Sequence, residues 1–505
     1  VELKIVRDLI SKINEKGILY CHWKSNQHVN EAFTGVDDVD ILIYQQDIFK
    51  LNIILNEIGY KRFNLPPKRS YIGIEDYLGF DNECGIFVHL HLHYQLTIGE
   101  KFLKGYQLPF NKQILDRRIY DTENGLYITS HEDELCLLII RLALKLRNRD
   151  KIKRLLRKDI FGKHSIAEFN WLINRINVHQ LEMIVNDMFG IEIKNLIFKI
   201  SSDGINFKDV KKLKSSLHKK TKLFRTHSKV RGVVVRWSRE LFRIRYAINN
   251  MIYKTPKSFR RTPISGGKLI AVLGPDGAGK SSVIKEVFKK FSAVMDTNSF
   301  YLGSGEGESS LIRMPLKKLY NLLLKIGILN RKSKRVGRNG TVHHNNEKNN
   351  AKIIRSIGKL PWTISLSRER IKKIVRLSKF KNTGYVVITD RWPQSQEVGI
   401  CDGPKYYLNS NINATVANKV ASSYEQKCYE IANQLNPDVI IILNVTPEEA
   451  YKRKPDEVDL DTHKTLMETI LRLEFGSNSK KVIIDANQPL EKVIKEVTRT
   501  IWRCL

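Results

Sequence analysis

Residues 274–282 read GPDGAGKSS, with Gly274, Gly279, Lys280 and Ser281 at the spacing G-x4-G-K-S. Glycines there let the backbone turn its N–H groups inward around a chain of phosphate oxygens. The lysine then reaches the outer phosphates, and the serine hydroxyl suits a Mg2+ ion. The expected cofactors are therefore ATP and Mg2+, held by Gly274, Asp276, Gly277, Ala278, Gly279, Lys280, Ser281 and Ser282. Asp276 is unusual, because a carboxylate beside a triphosphate must serve something other than the phosphates. A second group lies near the start of the chain. Asp38 and Asp40 flank Val39, so in a strand both carboxylates point to one face, as divalent-metal chemistry needs. Farther on, His89, His91 and His93 alternate with leucines. Imidazoles on one strand face bind metals, and the same alternation also suits a half-buried polar face.

These residues need elements to hold them. KLIAVLG (268–274) is a short apolar strand leading into the loop. SSVIKEVFKKF (281–291) is a helix with Val283, Ile284, Val287, Phe288 and Phe291 on one face. YVVIT (385–389), DVIIILNV (438–445) and KVIID (481–485) read as buried strands. TPEEAYKRK (446–454) opens a helix with Thr446 as N-cap, Pro447 at N1 and Glu449 closing a capping box. The pattern predicts an α/β fold, a doubly wound parallel sheet, over 262–505. Residues 1–125 alternate helix and strand patterns, including VDILIY (39–44) and IFVHLHLHYQL (86–96), and predict an α+β domain. Residues 126–261 predict a helical basic connector, its first helix capped by Ser130 and ending in the linker KTPKSFRRTPISGG (254–267). A basic flexible insert is expected at about 305–381, with the polar stretch 330–350 as a loop.

The loop GPDGAGKSS resembles that of thymidylate kinases, whose loop carboxylate faces the acceptor nucleotide. ITDRWPQS (388–395) resembles the family's Asp-Arg motif, and PDVIIILNVTPEEAYKR (437–453) its strand-PExAxxR segment. SLSRERIKKIV (365–375) stands where the family carries an arginine that clamps the acceptor phosphate. The resemblance covers 268–505 and implies a P-loop kinase. In that reading Lys280, Asp390, Arg391 and Arg453 act in catalysis, and Ser281 and Asp390 hold the metal. Asp276 and either Arg368 or Arg370 face the acceptor. Two departures redirect the acceptor side. The family's Arg-Glu-Pro-Gly-Gly stretch is replaced by FYLGSGEGESSLIRMPLKK (300–318), and its thymine-positioning segment by PQSQEVGICDGPKYY (393–407). The expectation is an acceptor other than thymidylate, a sugar, glycan or lipid-linked intermediate, contacted by Asp402 and Lys405.

CHWKSNQHVNEAFTGVDDVDILI (21–43) resembles the core of nucleotidyltransferase-fold proteins over about residues 15–130. The resemblance implies a metal at Asp38 and Asp40, with Lys24 and Ser25 where the family's Gly-Ser turn touches a triphosphate. His91 stands in place of the family's third carboxylate. The combination of HLHYQL…GE with DGP is also similar to fused modules encoded with bacterial surface-polysaccharide enzymes.

Charge narrows the partners. The chain of 505 residues carries a formal net charge of +33. Block 208–261 holds 18 Lys and Arg against Asp209 and Glu240, and block 311–381 holds 20 against Glu347 and Glu369. Such blocks attract an anionic membrane surface or nucleic acid. VVVRWSRELFRIRYAINNMIY (233–253) sets Trp237, Leu241, Ile244, Ile248 and Met251 on one helical face, with Arg236, Arg239 and Arg243 elsewhere, as a membrane-surface helix does. LIRMPLKKLYNLLLKIGIL (311–329) is similar. The six scattered cysteines, the mixed-charge helix at the start and the lack of a long apolar run predict a cytoplasmic protein, peripheral at the inner face of the membrane. Two other functions fit the same features: a nucleic-acid end-processing enzyme, and a nucleotide-binding sensor without turnover.

Overall fold

The computed structural model describes residues 2–146, 160–253, 255–303, 349–406, 416–455 and 459–505. The chain forms two compact units, Val1–Thr255 and Pro256–Leu505.

The second unit is built on a parallel sheet. Its strands lie in the spatial order Thr297–Tyr301, Val386–Asp390, Lys268–Leu273, Val439–Asn444 and Lys480–Asp485. Every neighbouring pair runs parallel. The three central strands are apolar on both faces because helices cover both, and Leu269, Val387, Ile440 and Ile442 are fully buried. This is the α/β arrangement expected of a P-loop fold. The first strand of the unit lies between the third and the fourth, so the chain direction of winding reverses beside it. The crevice at the carboxyl ends of such strands is where ligands bind in open α/β sheets. Helix Lys280–Val294 follows the first strand and buries Val283, Ile284, Val287 and Phe291, as its periodicity requires. Phe288 is only partly buried. Asn349–Asn382 is one helix of 34 residues with Pro361 inside it, where the sequence suggested the end of a flexible insert. The stretches 311–329 and 330–348 lie outside the described residues.

One expected cap forms by half. Thr446 accepts from the Glu449 N–H, as a cap should. The Glu449 carboxylate pairs instead with Arg453 (3.1 Å), and the Thr446 N–H finds Asn487. The closing limb of the capping box is thus given up to an arginine.

The first unit has a mixed sheet in the order Lys61–Asn64, Ile74–Asp81, Ile86–His93, Val39–Ile43, Tyr20–His22, Leu126–Ile128 and Ile119–Asp121. Helices Lys4–Glu15 and Ile48–Ile58 pack on the face that carries Val39, Ile41 and Ile43. The opposite face carries Cys21 and Leu42 and shares a core with the helices that begin at His131–Lys145 and continue through Phe207–Lys220. Ser130 caps the first of these by accepting from the Asp133 N–H.

Helix Lys229–Ile248 turns three of its arginines toward its own unit. Arg236 donates to Glu100 (2.8 Å), Arg239 to the carbonyls of Ser70 and Phe102, and Arg243 stacks over the Phe102 ring. The arginines face their own unit, while Val234, Trp237, Leu241 and Ile244 are each more than half exposed. A periodicity defines a stripe but not which side of the helix meets the protein. Among the described residues, no helix is long and apolar enough to cross a membrane.

Candidate active site

The phosphate loop has the backbone its glycines predict. Gly277 and Gly279 have φ of 85° and 80°, a region closed to most side chains. A Cβ at Gly277 would lie 2.8 Å from the Ala450 carbonyl oxygen, so the loop is also too close-packed there for a larger residue. Gly279 sits at the start of helix Lys280–Val294, whose free N–H groups and dipole face the loop's interior. Lys280 is buried, and its ammonium donates to the Pro275 carbonyl at 2.8 Å. Burial, with the nearby Arg391 charge second, pushes its pKa down to about 8. An anion brought beside this buried ammonium would favour its charged form.

At the end of the adjacent strand, Asp390 accepts from the Ser281 hydroxyl at 3.1 Å through one oxygen. Its other oxygen is buried without a hydrogen-bond partner among the described residues. Burial raises the Asp390 pKa against the opposing pull of Lys280. A buried carboxylate oxygen left unpaired beside a serine hydroxyl at a phosphate loop fits a Mg2+ ion held by Ser281 and Asp390.

Arg391, next in sequence, has φ of 71°, a strained value for a non-glycine residue. Its backbone N–H is fixed by the Val272 carbonyl. Its guanidinium joins two carboxylates, Asp276 of the loop at 3.0 Å and Asp402 at 3.2 Å. Asp402 also binds Arg370 at 2.6 Å, and both of those side chains are 7% exposed. A continuous charge chain thus runs Asp276–Arg391–Asp402–Arg370 along the sheet edge. Of the two arginines proposed for the acceptor, Arg370 belongs to this chain. Arg368 is exposed and donates to the Tyr424 hydroxyl at 2.6 Å instead. Lys405 enters by its backbone: its N–H and that of Tyr406 donate to Glu425.

Arg453 donates to the Ala486 carbonyl at 2.9 Å and lines a cavity of about 470 Å³ with Ala278, Gly279, Ser282, Asn487 and Gln488. Its volume is in the range of small-molecule sites, and it opens against the phosphate loop.

Sequence reasoning missed several residues here. Gln394 is 1% exposed, and its amide donates to the carbonyls of Glu397 and Ile400, holding the turn that presents Asp402. Tyr429 donates to the Asp402 carbonyl at 2.9 Å. His463 is buried, with neither ring nitrogen hydrogen-bonded among the described residues, and it senses the charges of Glu448, Asp276 and Lys280. Asn487 and Gln488 had one signal, the polar DANQP run straight after the last strand.

In the first unit, strand register brings the expected carboxylates to the histidines. Asp40 lies directly opposite His91 on one side and Asp76 lies opposite it on the other. His91 is 3.4 Å from Asp38, Asp40 and Asp76 alike. Burial disfavours its charge, but the bonds to Asp40 and Asp76 prevail and raise its pKa to about 9. Lys24 pairs with Asp40 at 2.8 Å, and Ser25 takes the left-handed φ of 57° that a glycine would favour. Lys104 and Lys145 are both lowered to about 8, chiefly by burial, and both feel Lys24. A basic wall therefore stands beside the carboxylates. Asp76, in IEDYLGFD, was missed because its partner strand cannot be told from sequence.

No family model matches the chain. It is similar to the "Uncharacterized ATP-binding protein YghR" of Escherichia coli, 26% identical over 242 residues, 46% of this chain and 86% of the relative. It is similar to the thymidylate kinase of Limosilactobacillus reuteri, 24% identical over 250 residues, 46% of this chain and 95% of the relative. A solved deoxyadenosine kinase from M. mycoides covers 46% of this chain and 97% of its own at 16% identity, with a TM-score of 0.25, too low to compare folds. The named relatives support a P-loop kinase-like region in this chain.

Proposed function

We propose that the second unit transfers a phosphoryl group from ATP to an acceptor other than thymidylate. One observation carries the reading: Lys280, the Ser281–Asp390 pair with its unpaired buried oxygen, and Arg391 converge at one sheet edge. Phosphoryl transfer needs position and positive charge on the equatorial oxygens, not a covalent intermediate. Lys280 leaves its carbonyl partner to meet the outer phosphates. Arg391 lies between the loop and the acceptor side, and Arg453 closes the nucleotide cavity from the opposite wall. When bound, Mg2+ would neutralise phosphate charge at Ser281 and Asp390. Arg370 and Asp402 orient Arg391 and face the acceptor. The rewritten segments 300–318 and 393–407 support an acceptor of the sugar, glycan or lipid-linked class.

The first unit supports a nucleotidyltransferase-like reading through its Asp-x-Asp strand and basic wall. Its helix Lys229–Ile248 offers an exposed apolar stripe with Arg231 and Arg245 also exposed, which favours an anionic membrane surface as its partner. The test of the kinase reading is Mg2+-dependent ATP turnover by the full chain beside Lys280→Ala and Asp390→Asn. The expected result is a loss of at least about 10²-fold in each. Turnover equal to wild type in both variants overturns it.

A further inference from the structure

We propose that Asp38, His89 and His91 bind one dication of the late transition series, with Zn2+ as its simplest representative, rather than Mg2+. One donor atom from each of the three lies within 4.8 Å of the other two. His89 and His91 lie on strand Ile86–His93, and Asp38 stands one residue before strand Val39–Ile43, whose register with it is fixed.

The two imidazoles are turned the same way. His89 directs Nδ1 to Asp38 (2.7 Å) and Nε2 to Asp76 (2.7 Å). His91 directs Nδ1 to Asp38 and to Asp40 (3.4 Å each) and Nε2 to Asp76 (3.4 Å). A metal-binding histidine characteristically donates its far N–H to a carboxylate, which fixes the tautomer and leaves the near nitrogen as ligand. Asp76, 4% exposed, is placed to do this for both rings at once. The near nitrogens and the Asp38 carboxylate then face one point. The imidazole–carboxylate separations, 2.7 Å to one Asp38 oxygen and 3.4 Å to the other, bracket the ~3–3.5 Å that donors about 2.1 Å from a common ion would keep.

The donor set decides the class of ion. Two imidazole nitrogens and one carboxylate suit Zn2+ and its neighbours, whereas Mg2+ takes oxygen ligands and keeps its water. Asp40, which the sequence paired with Asp38, is tied to Lys24 and almost buried. Asp38 is the exposed member, 42% accessible against 25% for His91 and 12% for His89. The site therefore opens to solvent on the Asp38 side, which gives an ion a way in and leaves room for a further ligand. Asp38, His89 and His91 belong to the first unit and are not among the residues of the phosphotransferase reading.

The test uses the full chain, stripped with a chelator, loaded with Zn2+, desalted and assayed by elemental mass spectrometry. One Zn2+ per chain is expected, resisting millimolar Mg2+. His91→Ala and Asp38→Ala should lower affinity at least about 100-fold, and Asp76→Asn about 10–100-fold, in a competition with a chromophoric chelator. Lys280→Ala should not change it. Circular dichroism shows that each variant is folded. For any that is not, Co2+ spectra of the wild-type chain replace it, expected to show nitrogen and oxygen ligation without a thiolate band. No stoichiometric Zn2+, displacement by Mg2+, retention unchanged in the folded variants, or a thiolate band overturns the proposal.

Discussion

Replacing Asp402 with alanine should unlock the second unit from within. The carboxylate joins Arg370 at 2.6 Å and Arg391 at 3.2 Å, and the Arg370–Asp402 pair is 7% exposed on both sides, so solvent screens little of it. Removing one partner of a buried pair strands the other charge, at a cost of about 3–5 kcal/mol. Arg370 keeps neutral acceptors, the Leu302 carbonyl at 2.8 Å among them, which places the effect toward the lower end. Because the chain has two units, a single melting temperature would blur the result. Hydrogen exchange of the strands Val386–Asp390 and Val439–Asn444 reports the second unit alone. At about 1.4 kcal/mol per factor of ten, their slowest amides should exchange about 10²–10⁴ times faster in Asp402→Ala. Asp402→Asn, which keeps an acceptor and loses the charge, should fall between. Exchange within about fivefold of wild type in Asp402→Ala refutes the idea that this carboxylate holds the two arginines.

Lys280→Met should stabilise the nucleotide-free second unit by about 1–3 kcal/mol at pH 7, because a buried ammonium is removed along with one hydrogen bond. The sign follows from the lowered pKa of about 8 against 10.5. Between those values the unfolded chain holds a proton that the folded chain has released, so wild-type stability rises there and the gap to the variant closes. Denaturation of both proteins at pH 7 and pH 10 checks this, and a gap that widens contradicts it. Gly277→Ala, with its Cβ 2.8 Å from the Ala450 oxygen at a φ of 85°, should weaken ATP binding at least about tenfold by calorimetry. The double change Leu241→Asp and Ile244→Asp should lower co-sedimentation with anionic vesicles about tenfold or more while ATP turnover is kept, since both side chains are more than half exposed.

The strand, turn and helix around the glycine-rich loop were legible because their signals are local. Strand, glycine turn, lysine and helix follow one another within 268–291, and each is dictated by apolar pattern or backbone freedom. The acceptor side was not, since Arg370 and Asp402 stand 32 residues apart and meet only through the sheet and the Gln394-held turn. The same holds for Asp76, whose place beside His91 depends on antiparallel register. The inward arginines of Lys229–Ile248 show a third limit. Amphipathic spacing located the apolar stripe, but only Glu100 and the Phe102 ring decided that the charged side faces inward.

The central claim is that a phosphoryl group leaves ATP for a specific acceptor that is not thymidylate. The most direct measurement is mass detection of the product made from γ-labelled ATP by the full chain in a small-molecule and lipid extract, with thymidylate assayed alongside. A labelled product that disappears with Lys280→Ala, and no labelled thymidine diphosphate, is the predicted result. Robust phosphorylation of thymidylate, or the same product from Lys280→Ala, would contradict it.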